Sequence, residues 1–123
     1  MPTLETAARN AACDAVVDLI DAGAGAGTLV FETSGDVEVA TLTFSDPAFG
    51  NAATGTATAG SITSDTNATG GTIAQASAYD SNSAKVIEFT CGTSGADINL
   101  SSLSITAGDT VSCSSLTITV PAS

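Results

Sequence analysis

The residues that could carry chemistry in this sequence are almost all carboxylates. The chain contains thirteen acidic residues, two basic residues (Arg9 and Lys85) and no histidine. Serine–histidine and cysteine–histidine nucleophiles therefore cannot form, and clamps for oxyanions or phosphates are scarce. Paired carboxylates could serve a glycosidase, but the acidic residues fall in turns or on a helix, and few aromatic residues are present to bind a sugar. We predict that the protein is not an enzyme and uses no cofactor.

Three short segments place oxygen ligands two residues apart, as calcium loops do. They are DTN at 65–67, DSN at 80–82 and DIN at 97–99. None continues as an EF-hand, and aspartate and asparagine are also the usual residues of turns. We predict turns at these segments and no bound metal.

Three cysteines, Cys13, Cys91 and Cys113, complete the set of reactive side chains. Their number is odd, no CxxC spacing occurs and no histidine could complete a site, which argues against zinc. Cys91 and Cys113 fall on the apolar phases of predicted strands, which favours buried thiols. A disulfide between Cys91 and Cys113 stays open at this level.

The charge balance restricts the partners. A net charge of −11 argues against nucleic acid and anionic membranes, because both are bound mainly through lysine and arginine. Either the acidic residues face a basic protein surface, or they only keep a surface rich in serine and threonine soluble. We find no secretory signal and no run of transmembrane length, so we expect folding in a reducing cytoplasm.

An alanine-rich helix is predicted for residues 4–22, with Thr3 as its cap and Gly23 at its end. One broad face of this helix is apolar: Leu4, Ala8, Ala11, Ala12, Ala15, Val16 and Leu19. A second apolar flank holds Cys13, Val17 and Ile20. A helix that is apolar on two sides lies between two partners, which are its own sheet and a neighbouring subunit, or else one small core covers both sides.

A stripe of three aspartates runs along the same helix at spacings of four and three. Asp14 and Asp18 repel each other, and Asp18 and Asp21 lie where the helix macrodipole is itself negative. We therefore predict a partner-binding surface made of Asp14, Asp18, Asp21, Val17 and Ile20, facing a basic protein surface. The alternative is that the stripe is only the solvated side of the helix.

The rest of the chain has the composition and spacing of a β-domain. We divide a single domain, residues 1–123, into an N-terminal helix (1–23), a flexible glycine-rich linker (24–27) and a β-region (28–120). Alternating runs separated by turns predict about eight antiparallel strands, as in a jelly roll or β-sandwich. We expect an irregularity between Val39 and Leu42, a strand end before Pro47, Phe49 as a loop anchor, and a long closing strand over 110–120.

Six segments resemble a family of small proteins encoded beside the major capsid protein of tailed bacteriophages and prophages. They are TLETAARNAACDAVVDLIDAG, LTFSDPAFG, ITSDTNATGGT, YDSN, GTSGADINL and ITAGDTVSCSSLTITVP. The resemblance covers nearly the whole chain and is most specific in the closing third. We associate this family with jelly-roll cement proteins, which decorate the outside of the capsid.

The resemblance implies a non-enzymatic structural protein of the virion. Its expected partners are the major capsid protein and further copies of itself, in a dimer or trimer, and its expected location is the capsid exterior. A structural or adhesion module associated with a phage tail or fibre is the alternative.

Overall fold

The computed structural model describes residues 2–122, which form a mostly β structure with one N-terminal helix. Helix α1 spans Thr6–Asp18 and continues as a 3-10 turn at Leu19–Asp21. The strands follow in chain order: β1 Thr28–Glu32, β2 Glu38–Phe44, β3 Thr56–Thr58, β4 Ile62–Thr63, β5 Gly71–Thr72, β6 Gln75–Tyr79, β7 Lys85–Gly92, β8 Ile98–Asn99, β9 Ser104–Ile105 and β10 Thr117–Thr119.

One six-stranded sheet, in the order β4-β2-β1-β6-β7-β8, forms the body of the protein. Two ribbons accompany it, β3 with β10 and β5 with β9. The prediction that all strands pair antiparallel is wrong, because β7 and β8 are parallel, with Cys91 opposite Ile98. The connection between β7 and β8 is a short loop, and β8 is only two residues long.

The core alternates large and small side chains across the sheet. Ala40, Phe31, Ala76 and Phe89 lie side by side on β2, β1, β6 and β7. Phe31 is fully buried between its two alanine neighbours. This alternation explains how a chain with four phenylalanines and no tryptophan packs one core, because each aromatic ring occupies the space that the adjacent alanines leave.

The helix begins later than predicted. Its N-cap is Glu5 and not Thr3, and no side chain caps it. The reason is tertiary: the backbone N–H of Leu4 donates to the carbonyl of Ala122 at 2.7 Å, which holds the first residues against the C-terminal segment. Gly23 follows the 3-10 turn at a φ of 95°, a left-handed conformation that glycine adopts easily.

The chain packs closely at both ends of the glycine-rich stretch. A Cβ on Gly27 would lie 2.4 Å from the carbonyl oxygen of Tyr79 and 2.7 Å from Ile20. The hydroxyl of Ser81 also donates to the carbonyl of Ala22 at 3.0 Å. Glycine at position 27 is therefore required for close packing of the chain between the helix and the sheet.

Strand β2 and the loop after it show three of the predicted features. The register of β1 against β2 shifts so that Val39 is the extra residue, and both Val39 and Ala40 are fully buried. Strand β2 ends at Phe44, and the rings of Phe44 and Phe49 pack with their centroids 5.7 Å apart. The expected irregularity, the strand end before Pro47 and the anchoring role of Phe49 are therefore confirmed.

The prediction of one long closing strand over 110–120 is wrong. Val111 forms an isolated bridge with Asp65, and regular pairing resumes only at Thr117–Thr119, against β3. The serines at 114 and 115, where the apolar phase changes, separate the two pieces. The closing third therefore lies at the margin of the fold, and β1 and β6 occupy the centre of the main sheet.

Among the described residues, the structure contains no helix that is both long and apolar enough to span a membrane.

Candidate functional site

The aspartate stripe does not form one surface. The backbone N–H of Ala52 donates to Oδ1 of Asp14 at 2.8 Å, and that of Ala48 donates to Oδ1 of Asp21 at 2.8 Å. Asp18 alone is exposed. Two of the three carboxylates therefore bind the protein's own loop between β2 and β3.

The prediction that Val17 and Ile20 contact a partner is wrong. Their side chains are 2% and 0% exposed, and with Cys13 they form the seam of the helix that enters the core. The seam follows helical spacing, at steps of four and three residues. Its larger aliphatic groups remove more apolar area from water than alanines would.

Three further polar contacts fix the same side of the helix. Nε of Arg9 donates to the carbonyl of Val120 at 2.9 Å, and the thiol of Cys13 donates to the carbonyl of Ile118 at 3.3 Å. The backbone N–H of Gly55 donates to Oδ1 of Asn10 at 2.8 Å. We call this side of the helix the inner face; its members are Arg9, Asn10, Cys13, Asp14, Val17, Ile20 and Asp21.

The turn that precedes β3 is shaped to meet the inner face. Thr54 and Gly55 have φ of 49° and 79°, and Ala53 and Thr56 exchange both backbone hydrogen bonds at 2.9 Å, as in a type I′ hairpin turn. A Cβ on Gly55 would lie 2.6 Å from the guanidinium of Arg9. Sequence reasoning missed this contact, since the partners are distant in the chain; the glycine after Thr54 was the available signal.

The opposite side of the helix is apolar and exposed. Leu19 is 57% exposed, and four alanines that precede it on this side are exposed as well. We call this surface the open face; its members are Ala8, Ala11, Ala12, Ala15 and Leu19. The expectation that one small core covers both sides of the helix is wrong, because the protein itself covers only the inner face.

The outer side of the main sheet holds a buried carboxylate. Glu32 is 4% exposed and accepts hydrogen bonds from the hydroxyls of Ser77 and Tyr79, both at 2.9 Å. Burial raises the pKa of Tyr79, and its hydrogen bond to Glu32 raises it further. The cluster ties β1 to β6, and it borders a cavity of about 310 Å³ that Glu38 and Thr41 also line.

The aspartates of the three candidate calcium segments accept hydrogen bonds from backbone N–H groups of the protein. The prediction of a turn is wrong for 97–99, where Ile98–Asn99 form β8. Asp80 Oδ1 accepts from the N–H groups of residues 82 and 84, each at 2.9 Å. Asp65 accepts from residues 41 and 67, and Asp97 accepts from residue 90. Over residues 2–122, no group of three or more histidine, cysteine, aspartate or glutamate residues is placed to hold a metal ion.

All three cysteines are free thiols. Burial raises the pKa of Cys91 to about 11, and the charge of Asp97 adds to the shift. Burial likewise raises the pKa of Cys113. A thiol with a raised pKa stays neutral to higher pH, so both residues are poor nucleophiles and poor metal ligands near neutral pH.

Cys91 is therefore expected to react slowly with iodoacetamide. With its pKa at about 11 instead of 9.0, its thiolate fraction at pH 8 falls about a hundredfold, and the rate of alkylation falls with it. Mass spectrometry of timed samples measures this rate, with the protein in denaturant as the control. Equal rates of alkylation in the native and the denatured protein would contradict the raised pKa of Cys91.

Comparisons of the chain with protein-family models, with curated proteins and with solved structures found no match.

Proposed function

We propose that this protein is a non-enzymatic structural protein of a virion, a cement protein that binds the outer surface of the capsid. The observation that carries the proposal is the open face, an uncharged apolar strip on the helix with Leu19 57% exposed. Exposed apolar strips of this kind are typical of assembly surfaces, since their burial in a contact removes apolar area from water. The helix thus packs on its own sheet by one face and offers the other to a second copy of the chain, in a dimer or trimer.

The charge of the protein supports the major capsid protein as the second partner. Arg9 is committed to the carbonyl of Val120, and Lys85 pairs with Glu88 at 3.3 Å. With thirteen acidic residues against these two, the surface attracts a basic protein patch and disfavours nucleic acid. Asp18 is the member of the stripe that is free to face such a patch, because Asp14 and Asp21 bind the loop.

The jelly-roll assignment is part of this proposal. Residues of the ribbon β3–β10, the helix and the main sheet contribute to one core cluster, which supports a second layer of structure over the sheet. In the proposed assembly this body is the rigid element, and the helix and the exposed strand edges make the contacts.

Binding to empty shells tests the proposal. Shells assembled without this protein, from the virus that encodes it, are mixed with the purified protein and sedimented. We expect co-sedimentation, density on the capsid exterior by cryo-electron microscopy, and shells that resist heating better. A parent protein that does not sediment with shells, or that binds tails or fibres instead, would contradict the cement function and favour the adhesion alternative.

A matched pair of variants tests the open face within this experiment. Ala11→Asp with Ala15→Asp places two charges on the open face, and we expect it to dissociate the oligomer and weaken shell binding about tenfold or more. Ala84→Asp with Ala107→Asp adds the same charge at exposed positions away from the helix, and we expect it to bind as the parent does. Equal binding by both double variants would exclude the open face as a contact.

A further inference from the structure

Two strand edges line one cavity on the side of the protein away from β1. The cavity has a volume of about 400 Å³ and is lined by residues 87–89 of β7, residues 117–119 of β10, and Asp97. Neighbouring residues of a strand point to opposite faces of its sheet. Because three consecutive residues of each strand reach the cavity, it lies between the edges of β7 and β10 and not on one face of either.

The edge of β7 is open at Glu88. The N–H of Thr90 donates to Oδ2 of Asp97 at 3.0 Å, so Thr90 does not bond to its β6 neighbour. Hydrogen-bonded and non-bonded pairs alternate along an antiparallel ladder, and Glu88 lies two residues before Thr90 without a register shift between them. The N–H and C=O of Glu88 therefore also point away from β6. Asp97 accepts from Thr90 and not from Glu88.

The edge of β10 is open at two residues. The N–H of Ala59 donates to the carbonyl of Leu116, and that of Val120 donates to the carbonyl of Gly55. These bonds define the residues of β10 that face β3. Thr117 and Thr119 lie between them, so their N–H and C=O groups point to the other side, into the cavity. Within residues 2–122, no strand pairs with β10 on that side.

The chemistry of the cavity indicates what fits between the edges. Ile87, Phe89 and Ile118 bring apolar side chains from the core to its walls. The two ionisable residues of the lining are Glu88 and Asp97, both acidic. An incoming chain that matches this site is extended, apolar towards the core and basic towards the carboxylates.

We propose that the gap between β7 and β10 binds an extended, basic segment of a partner protein, which adds as a strand to both open edges. The added strand joins the ribbon β3–β10 to the main sheet and satisfies the backbone groups of Glu88, Thr117 and Thr119. The inference deepens the proposed function and rests on it in one respect. The proposed function supplies the source of the segment, which is a chain of the major capsid protein. The acidic lining favours such a segment over a second copy of this chain, whose net charge is −11.

Short blocked peptides test the site without the shell. One peptide alternates valine with lysine, a second alternates valine with glutamate, and a third is the lysine peptide with its alternate backbone nitrogens methylated. Amide NMR of the labelled protein reports binding at Glu88, Thr117 and Thr119, with the paired residues Ala57 and Ala76 as internal controls. We expect the lysine peptide to shift the three edge amides, to bind about tenfold more tightly than the glutamate peptide, and to lose binding on methylation.

Reversing the charge at Glu88 tests whether this carboxylate selects the basic peptide. Glu88 is more than half exposed, so Glu88→Lys is expected to fold and to reverse the preference, with the glutamate peptide now the tighter ligand. Glu5→Lys makes the same change on the helix and is expected to leave the preference as it is. Peptide binding elsewhere on the protein, or no shift of the three amides with any peptide, would overturn the proposal.

Hydrogen exchange with bound shells separates this proposal from the cement function. If the protein binds shells and the amides of Glu88, Thr117 and Thr119 become about tenfold or more slower to exchange, strand addition is supported. If the protein binds shells without slowing these amides, strand addition by the capsid is overturned and the cement function stands. If the edge amides slow with protein concentration alone, a second copy is the occupant and the basic segment is overturned.

Discussion

Replacing Asp14 and Asp21 together by alanine is expected to lower the free energy of unfolding by about 3–6 kcal/mol. Each carboxylate accepts a 2.8 Å hydrogen bond from a backbone N–H of the loop between β2 and β3. A hydrogen bond to a charged group contributes about 1.5–3 kcal/mol, and its loss leaves a partly buried N–H without this partner. Urea unfolding followed by circular dichroism measures the change, since the chain has no tryptophan.

Asp18→Ala is the matched control, because Asp18 lies on the same helix and is exposed. We expect it to change stability by less than about 0.5 kcal/mol. Similar losses at all three positions would contradict the division of the stripe into inner and exposed aspartates. A triple variant of the stripe would mix lost stability with lost binding, so Asp18→Asn is the informative variant for contact with a basic capsid surface.

Phe31→Ala is expected to lower the free energy of unfolding by about 3–5 kcal/mol. Phe31 is fully buried on β1, and its neighbours across the sheet are Ala40 and Ala76. Two alanine side chains cannot move to fill the space that the ring leaves, so the cost lies towards the upper end of the range. The same urea titration measures the effect as a lower midpoint with an unchanged slope.

Val37→Ala serves as the control for the core substitution, since Val37 is 61% exposed. We expect a change of less than about 0.5 kcal/mol. A total stability of about 5–15 kcal/mol is usual for a domain, so Phe31→Ala removes a large part of it. If Phe31→Ala lowered the free energy of unfolding by less than about 1 kcal/mol, the row of alternating aromatic and alanine side chains would not be a main source of core stability.

The acidic residues have a structural role beyond solubility. The carboxylates of Asp14, Asp21, Asp65, Asp80, Asp97 and Asp109 all accept hydrogen bonds from backbone N–H groups. Short strands and long connections leave many backbone donors outside ladders, and such donors need partners. Part of the negative charge therefore organises loops, in addition to any contact that it makes with a partner.

The sequence by itself determined the class of the fold and several of its local features. Alternating apolar residues, threonine-rich runs and Gly-Asp or Asn-containing turns predicted a mostly β chain, and an alanine-rich opening predicted its one helix. Val39, Phe49 and the strand end before Pro47 were also predictable. These features depend on neighbours in the chain, because backbone preference, turn chemistry and side-chain alternation act over a few residues.

Only the tertiary structure decided which face of the helix is buried. Periodicity gave two apolar faces, and two residues of the narrower one, Val17 and Ile20, were predicted to contact a partner. The narrower face with Val17 and Ile20 enters the core because its larger side chains bury more area. Its flanking residues Arg9 and Asp14 also meet backbone groups of residues 120 and 52, which no local pattern places beside the helix.

The edges of the sheets were likewise decided by tertiary structure. The sequence predicted a single long strand over 110–120, but its pairing is divided between Asp65 and β3. Strand β8 joins β7 in parallel for two residues only. Pairing partners, unlike strand propensity, depend on which distant backbone groups lie within hydrogen-bonding reach, and this is why the open edges of β7 and β10 could not be found from the sequence.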